Sequence, residues 1–420
     1  MCIRDSNRAE GSGGTVYVRK DSTVTITEST VNNCTAQNEG GSVNILQDSL
    51  ATIKDSEFIN NSADTGGVVR VYVRSTANIT NSRFSENTAK IIGGVMAATI
   101  DSIIRVQMSN FTFNMAGFGG VSFTLQNSTV EFEICEFHNN RAEFDGGVIK
   151  VRQQSAVTVT GSTFKDNTAD NGGVLYVQGS NAILETSSFD HNSARDKGGV
   201  IYVIDNCTIS IYLGTFSENT AENDGGVMAL NGSITSIESS HFTGNRARHN
   251  GGVIGIQKSS IRILRCMFNL STAESSGGSI HATSSSVKIN NSSFTDNSAS
   301  DHGGVVDARS ASSVMVLCSS FISNAVNNSG GVLHLEEQSK AIVGKSIFQQ
   351  NKAKHHGGVI LASTMSQVSI TESTFFHNSA KKGAVLRAKQ ESSISFDVFF
   401  VGWTDINASQ NLMVESNDEI

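Results

Sequence analysis

The sequence of 420 residues contains no proline and only one tryptophan. Proline lacks the backbone N–H that a β-ladder needs, so its absence is expected where nearly every N–H takes part in strand pairing. No run of 18 or more apolar residues occurs, and the sequence therefore predicts no transmembrane helix. The net charge of −8 comes from interspersed charges of both signs without a basic stripe, which argues against a nucleic-acid partner.

Short motifs that would carry chemistry are lacking as well. There is no Walker loop, no HExxH and no GxSxG in the chain. The six cysteines show no CxxC pair and no regular spacing, so we interpret them as small, buried free thiols rather than disulfides. Aspartates and histidines precede many glycine pairs, but their positions vary too much for a calcium site. The sequence predicts neither a metal ion nor a cofactor.

What the sequence does contain is an internal repeat that begins with a Gly-Gly pair. The first pair starts at Gly13, and the last position of the series is Gly383, which alanine follows. Every step between these two positions is 26 or 27 residues long. A period of this length indicates a solenoid whose coils contact only their neighbours.

Two further residue types keep step with the glycines. In 13 repeats a Phe follows the first glycine by 17 or 18 residues, and an Asn stands three residues later except where Ser271 replaces it. We interpret the glycines as positive-φ corners or close chain approaches, the Phe column as a core stack and the Asn column as a turn ladder. In two representative repeats these structural residues are Gly146, Gly147, Phe164, Asn167, Gly172, Gly173, Phe189 and Asn192.

Apolar residues alternate within each repeat, which is typical of strands. After one glycine pair, for example, Leu175 and Val177 share one face and Tyr176 lies on the other. Three short strands per repeat, separated by Gly, Ser, Asn and Asp turns, predict an all-β fold: a single right-handed parallel β-helix of about 14–15 coils. We expect the β-helix over residues 7–400, a foreign-looking leader over 1–6 and a non-repeat tail over 401–420. Neither end has the pattern of a cap, so we expect a fragment of a longer protein.

The combination of GGV[IL] with FxxN resembles the GGA[ILV]/FxxN repeat of the chlamydial polymorphic membrane proteins. It is similar, more loosely, to the right-handed β-helix of pectate-lyase-like proteins. The first resemblance covers roughly residues 7–400 and implies an adhesin-type β-helix. It departs from that family in having Val where the family favours Ala, and it includes no translocator barrel. The second resemblance implies a cluster of carboxylates on one outward face, often with Arg, Lys or calcium.

Function in a β-helix requires side chains that do not pack in the core. One outward-facing position of this kind is the fifth residue of each repeat, where the first glycine is residue one. Tyr176 and Tyr202 are adjacent in this column, with Phe123 and Lys150 on the coils before them. An aromatic ladder of this kind can hold a sugar ring or anchor a protein. The alternative is that tyrosine simply favours exposed strand positions.

The same outward column brings His281, Asp307 and His334 onto consecutive coils, with Thr283, Arg309 and Glu336 two residues further along the same faces. Stacking places the imidazoles and the carboxylate close enough for a metal ion or a proton relay. The alternative is a solvated strand face with unrelated polar residues. Acid–base cleavage of a glycosidic bond needs two carboxylates that face one bond, and this column contains a single carboxylate.

Two function classes remain from the sequence. The leading hypothesis is a non-catalytic surface or secreted β-helix, either an adhesin-like binding platform for glycans or surface proteins or a structural stalk. The second is a polysaccharide lyase, hydrolase or epimerase of the pectate-lyase-like class. Twelve N-x-[ST] sequons favour an extracellular or cell-surface location.

Overall fold

A computed structural model of the chain describes residues 2–3, 6–401 and 412–414, with side chains over residues 6–397. Contacts divide the chain into unit 1, Met1–Ser210, and unit 2, Ile211–Ile420. The predicted tail lies outside the described residues except for Val401 and Leu412–Val414, and so do Met1, Arg4 and Asp5 of the predicted leader. Within the described ranges there are only strands and turns, and no helix is long and apolar enough to cross a membrane.

Each complete coil of unit 1 contributes strands to three parallel sheets. The first sheet, which follows the glycine pairs, contains Val16–Arg19, Val43–Leu46, Val69–Tyr72, Met96–Thr99, Ser122–Leu125, Ile149–Arg152, Leu175–Gln178 and Ile201–Ile204. The second sheet takes two segments from a coil: Cys2–Ile3, Thr23–Thr27, Thr30–Asn32, Leu50–Lys54, Glu57–Ile59, Thr76–Thr80, Arg83–Ser85, Ile103–Gln107, Asn110–Thr112, Thr129–Glu133, Glu136–His138, Ala156–Thr160, Thr163–Lys165, Asn181–Glu185 and Ser188–Asp190. The third sheet contains Arg8–Ala9, Thr35–Ala36, Ser62–Thr65, Thr88–Ile92, Met115–Phe118, Arg141–Asp145, Thr168–Ala169 and Ser193–Ala194.

Unit 2 repeats the same three sheets, and the strand Thr208–Tyr212 contains the boundary between the units. Its first sheet contains Met228–Asn231, Ile254–Gln257, Ile280–Thr283, Val306–Arg309, Leu333–Leu335, Ile360–Ala362, Leu386–Ala388 and Leu412–Val414. Its second sheet contains Thr215–Ser217, Ile234–Glu238, His241–Thr243, Ser260–Leu264, Met267–Asn269, Ser286–Asn290, Ser293–Thr295, Ser313–Leu317, Ser320–Ile322, Lys340–Gly344, Ile347–Gln349, Gln367–Phe376 and Ser393–Val401. Its third sheet contains Thr220–Ala221, Arg246–Ala247, Thr272–Ala273, Ser298–Ala299, Ala325–Val326 and Lys352–Ala353.

The register of the strand pairs follows the repeat, so equivalent residues lie above one another. Leu175 pairs with Ile201 in unit 1, and Ile254 pairs with Ile280 in unit 2, both in parallel ladders. The predicted all-β parallel β-helix is therefore confirmed within each unit. The structure also shows a short third-sheet strand after the Asn column. Most of these strands have only two residues, which is too few for alternation of apolar residues to predict them.

Stacking of like residues accounts for the Phe column. In unit 1 the rings of Phe137 and Phe164 lie 4.5 Å apart with an interplanar angle of 4°. In unit 2 Phe242 and Phe268 repeat this arrangement at 4.5 Å and 10°. These rings are almost completely buried, so the column is a continuous part of each unit's core.

The Asn column forms a hydrogen-bonded ladder inside the turn between the second and third sheets. Asn167 Oδ1 accepts from the backbone N–H of Asn140 at 2.9 Å and from its Nδ2 at 3.1 Å. Asn167 Nδ2 in turn donates to the Phe137 carbonyl and to Asn192 Oδ1, both at 3.0 Å. Each buried amide therefore satisfies polar groups of both neighbouring coils, which explains why the residue type is repeated.

The two glycines of each pair have different roles. Gly172 adopts φ +61°, a left-handed conformation that favours glycine. Gly173 lies where one coil approaches the next, because a Cβ on it would stand 2.2 Å from the Gly199 carbonyl oxygen. The predicted positive-φ corner therefore occurs at the first glycine of the pair, and the predicted close approach between chains occurs at the second.

Four of the five cysteines with described side chains agree with the predicted buried free thiols: Cys34, Cys135, Cys207 and Cys266. Burial raises the pKa of the Cys135 and Cys266 thiols to about 11, which keeps them protonated and unreactive. Cys318 is exposed, so the prediction is wrong for this residue, which occupies a turn between two second-sheet strands.

Candidate functional site

The outward face of the first sheet was predicted to carry exposed binding side chains, and most of them are buried. Phe123 and Lys150 are each 4 % exposed, Tyr176 is 7 % exposed and Tyr202 is half-buried. The prediction of an exposed aromatic ladder is therefore wrong for Phe123, Lys150 and Tyr176. These side chains do point away from the core, but a second layer of protein lies over them.

That layer comes from the residue immediately before each glycine pair, which we call the cover residue. In unit 1 the cover residue Glu39 places Oε1 3.5 Å from Arg70 Nε, and the cover residue Asp145 places Oδ2 2.6 Å from Lys150 Nζ. In unit 2 a Cβ added to Gly255 would lie 3.1 Å from Cβ of the cover residue Asp224. In these contacts an acidic cover residue pairs with a basic residue of the outward column, or a cover side chain fills the space above a glycine.

Lys150 is the centre of these contacts in unit 1. Its Nζ lies 3.9 Å from the ring centroid of the cover residue Phe118 and 4.4 Å from that of Tyr176. Burial lowers the pKa of Lys150, and the ion pair with Asp145 opposes this shift. The Tyr176 and Tyr202 rings lie 5.5 Å apart, and burial raises the pKa of both phenols. Lys150 therefore packs directly against the cover residues Phe118 and Asp145, and Tyr176 packs against Lys150.

On its third sheet unit 1 has an apolar patch, which consists of the exposed residues Ile91, Met115 and Phe144 and the half-buried cover residue Phe118. Ile91 is 48 %, Met115 47 % and Phe144 44 % exposed, and the rings of Phe118 and Phe144 lie 5.0 Å apart. The third-sheet strands of these coils are four or five residues long and contain register shifts, whereas most others have two residues. The longer strands bring apolar side chains to the surface where other coils have polar turns.

Sequence reasoning missed the apolar patch, although a signal for it was present. The segments before the glycine pairs are polar in most repeats, but here they contain Ile91, Phe118 and Phe144 on three consecutive coils. Apolar residues that recur where most other repeats have a polar turn indicate a surface with a purpose other than core packing.

In unit 2 the structure brings together the predicted polar cluster of His281, Asp307, Arg309, His334 and Glu336. The two Asp307 oxygens accept from His281 Nδ1 at 2.9 Å and from His334 Nδ1 at 2.6 Å. Arg309 Nε donates to Asp307 Oδ2 at 2.8 Å and lies 3.7 Å from Glu336 Oε2. The residues form one connected network on three adjacent strands of the first sheet, with Glu336 directly after the third strand.

Asp307 is ionised at the centre of this cluster although it is fully buried. Burial alone would raise the pKa of its carboxyl group, but the hydrogen bonds from His281 and His334 outweigh burial and hold the pKa well below its usual range. Both imidazoles direct Nδ1 at Asp307, and within the described ranges no group of three His, Cys, Asp or Glu side chains could hold a metal ion.

Two histidines serve as cover residues in unit 2. His302 stacks on His334 with ring centroids 4.3 Å apart, and burial, followed by the neighbouring His334, lowers the pKa of His302 to about 4. Burial and the nearby Arg387 likewise lower the pKa of His356 to about 4. Both rings are therefore neutral at neutral pH, and the His302 ring closes one side of the polar cluster.

Stacked coils, three parallel sheets and internal Phe and Asn columns define a parallel β-helix. The chain belongs to the family described as right handed beta helix region, whose sequence model matches residues 91–268 and 146–321. A search of curated proteins finds no match to this chain.

Proposed function

We propose that the chain is a surface or secreted β-helix that acts as an adhesin-like binding platform, with the apolar patch of unit 1 as its binding surface. The observation that carries this proposal is the exposure of Ile91, Met115 and Phe144 on three consecutive coils. Exposed apolar side chains that are contiguous and rimmed by polar residues are typical of interaction sites. The rim here is charged, since Lys90, Arg141 and Glu143 are exposed beside the patch.

The patch is held in place by backbone and side-chain contacts, which reduces the entropy lost on binding. The Phe144 carbonyl accepts from the backbone N–H of Asp170 at 2.8 Å and of Asn171 at 3.0 Å. Beneath the patch, the Phe118 ring contacts Lys150, which Asp145 fixes from the side. The surface is therefore preorganised before a partner arrives.

The composition of the patch favours a protein partner over a glycan. Phe and Met are enriched in the centres of protein interfaces, and charged residues concentrate at their rims. A sugar site would instead place planar polar groups beside an aromatic face. The side chains of Phe118 and Phe144 carry no hydrogen-bonding group, so we propose that the patch binds a protein partner.

The resemblance of the GGV[IL] and FxxN repeats to the chlamydial polymorphic membrane proteins supports an adhesin-type role at the cell surface. The sequons and the absence of predicted metal or cofactor chemistry agree with that role. The pectate-lyase-like alternative has less support from the polar cluster, because Asp307 is fully buried and Glu336 lies beside Arg309. Two free carboxylates facing one glycosidic bond are what such a hydrolase needs.

Replacing Phe144 by serine is expected to weaken binding of a protein partner at least ~10-fold, because truncating a central aromatic anchor typically costs 2 kcal/mol or more, roughly. The measurement is binding of the purified full chain to a panel of recombinant cell-surface ectodomains, with a glycan array and a uronate-cleavage assay in parallel. The thermal midpoint should change little, because 44 % of Phe144 is exposed and the residue lies outside the core.

Ile183→Ser provides the matched control, since Ile183 is 42 % exposed in unit 1 but lies on a second-sheet strand away from the third sheet. It should bind like the unchanged protein. Equal loss in both variants, or saturable binding to glycans alone, would contradict the assignment of the patch. Release of unsaturated uronates would favour the polysaccharide-active alternative instead.

A further inference from the structure

The polar cluster of unit 2 ends in the hydroxyl group of Thr283, which lies on the same strand as His281. Thr283 Oγ1 lies 3.3 Å from His281 Nε2, and His281 Nδ1 lies 2.9 Å from Asp307 Oδ2. We propose that the side chains of Thr283, His281 and Asp307 form a hydroxyl–imidazole–carboxylate triad that hydrolyses a small ester. The Thr283 hydroxyl takes the acyl group from the ester, and water then removes the acyl group from Thr283. This activity goes beyond the binding proposed for unit 1, and it would correct the hypothesis of a non-catalytic chain.

The hydrogen bonds fix the tautomer that such a triad needs. A carboxylate can only accept, so His281 Nδ1 carries the proton that it donates to Asp307. When the ring carries this one proton, Nε2 is the unprotonated nitrogen, and it faces the Thr283 hydroxyl. A nucleophile within reach of a base, with the base oriented by a third group, is the arrangement that activates serine and threonine hydroxyls.

The rest of the polar cluster holds this geometry. His334 and Arg309 hydrogen-bond to Asp307 and keep its carboxylate ionised and fixed, so both act as positioning residues for the triad. The His302 ring covers His334 and leaves that side closed. His281 is the partly exposed imidazole, with its side chain 17 % accessible, so the triad opens toward solvent at Thr283.

A donor for the developing oxyanion lies on the neighbouring strand. Arg309 is in register with Thr283, and its side chain is 32 % exposed. Apart from its bond to Asp307 and its ion pair with Glu336, it makes a long contact of 3.4 Å from a terminal nitrogen to Ser276 Oγ. This weak contact can be exchanged for one to a substrate oxygen, which is where charge accumulates during acyl transfer.

The reaction balances without any other reactant than the ester and water. Thr283 Oγ1 attacks the carbonyl carbon and forms the new C–O bond while its proton moves to His281 Nε2. The bond to the leaving alkoxide breaks, and the alkoxide takes that proton from His281. Water then attacks the acyl-threonine with His281 as base, which releases the carboxylic acid and restores the hydroxyl.

The full chain contains an internal control for this proposal. His241 and Thr243 have the same spacing on a strand of unit 2 and are both exposed. Their strand neighbours are Thr215 and Ser217 on one side and Met267 and Asn269 on the other, so neither adjacent strand pairs a carboxylate with His241. Acylation that depends on the triad should therefore modify Thr283 and leave Thr243 unmodified.

The test incubates the purified full chain with 4-nitrophenyl acetate and maps the acetyl group by peptide mass spectrometry. We expect acetyl-Thr283, its loss in Thr283→Val, its retention in Thr283→Ser, and an acylation rate lowered at least ~100-fold in His281→Gln. Asp307→Asn should also change the pH profile of the acylation rate, which a purely structural role would not do. Thermal unfolding of each variant shows whether it is folded.

The proposal is overturned if Thr283→Val hydrolyses the ester as fast as the unchanged protein. Equal acetylation of Thr243 and Thr283 would have the same meaning, since it would indicate surface chemistry without a triad. None of these outcomes affects the binding proposal, which is tested with Phe144 in unit 1.

Discussion

Replacing Gly173 by valine is expected to remove cooperative folding of the coils around it or to lower the free energy of unfolding by at least ~4 kcal/mol. The reason is the approach of backbone to backbone at the second glycine of each pair. A Cβ at Gly173 would lie 2.2 Å from the Gly199 carbonyl oxygen and 2.6 Å from that of Ser193. Neither atom can move alone, because Ser193 and Gly199 belong to the stacked backbone of the adjacent coil. Thermal unfolding followed by circular dichroism measures the effect.

Gly11→Val is the matched control, since no atom would lie within 4 Å of a Cβ at Gly11. Its thermal midpoint should stay close to that of the unchanged protein. If Gly173→Val unfolds at the same temperature as the control, the close approach between coils is not what requires glycine there.

The second large effect is expected for Asn167→Asp, an exchange that keeps the shape of a fully buried side chain. The aspartate oxygen in place of Nδ2 would face the Phe137 carbonyl and Asn192 Oδ1, which are both acceptors. An ionised carboxylate cannot donate to either of them, so we expect a loss of about 3 kcal/mol at neutral pH.

The pH dependence of this variant has a definite sign. Burial among acceptors raises the folded-state pKa of the new carboxyl group above its value of about 4 in the unfolded chain. The variant should therefore regain stability relative to the unchanged protein as the pH falls from 7 toward 4, because the protonated group can donate one hydrogen bond. Asn139→Asp is the control, since Asn139 is the exposed neighbour of the ladder. A penalty that is independent of pH, or that Asn139→Asp shares, would contradict the described role of the ladder.

The fold follows from the sequence because stacking forces equivalent residues into equivalent places. The step of 26 or 27 residues is visible in the sequence alone. Residues at the same position of successive repeats occupy the same environment, so the residue type that recurs there indicates what that environment is. Phe164 and Asn167 recur because a ring must stack on a ring and an amide must bond to an amide. The short third-sheet strands were not predicted, since two residues such as Thr168–Ala169 are too few to show alternation.

The exposure of the outward column could not be predicted in the same way. Alternation along Leu175–Gln178 says which side chains leave the core, but not whether another segment lies over them. The cover over Lys150 comes from Phe118 and Asp145, which end two adjacent third-sheet strands. The residues before the glycine pairs vary from repeat to repeat, so the pairing between cover and column is visible only once these segments are placed.

The polar cluster of unit 2 is an intermediate case. Its residues were predicted to meet because they occupy one column, and His281, Asp307 and His334 do meet. The direction of each hydrogen bond and the proximity of Thr283 Oγ1 to His281 depend on side-chain rotamers, which a repeat pattern does not specify.

Hydroxyl-radical footprinting of the folded chain, read out by peptide mass spectrometry, tests most directly whether the binding surface lies on the third sheet rather than on the outward column of the first sheet. Phe123 and Phe144 make a matched pair, because they have the same intrinsic reactivity and differ in exposure, 4 % against 44 %. The structure predicts rapid oxidation of Phe144 and protection of Phe123 and Tyr176. Oxidation of Phe123 and Tyr176 at the rate of Phe144 would contradict the cover and return the binding surface to the outward column.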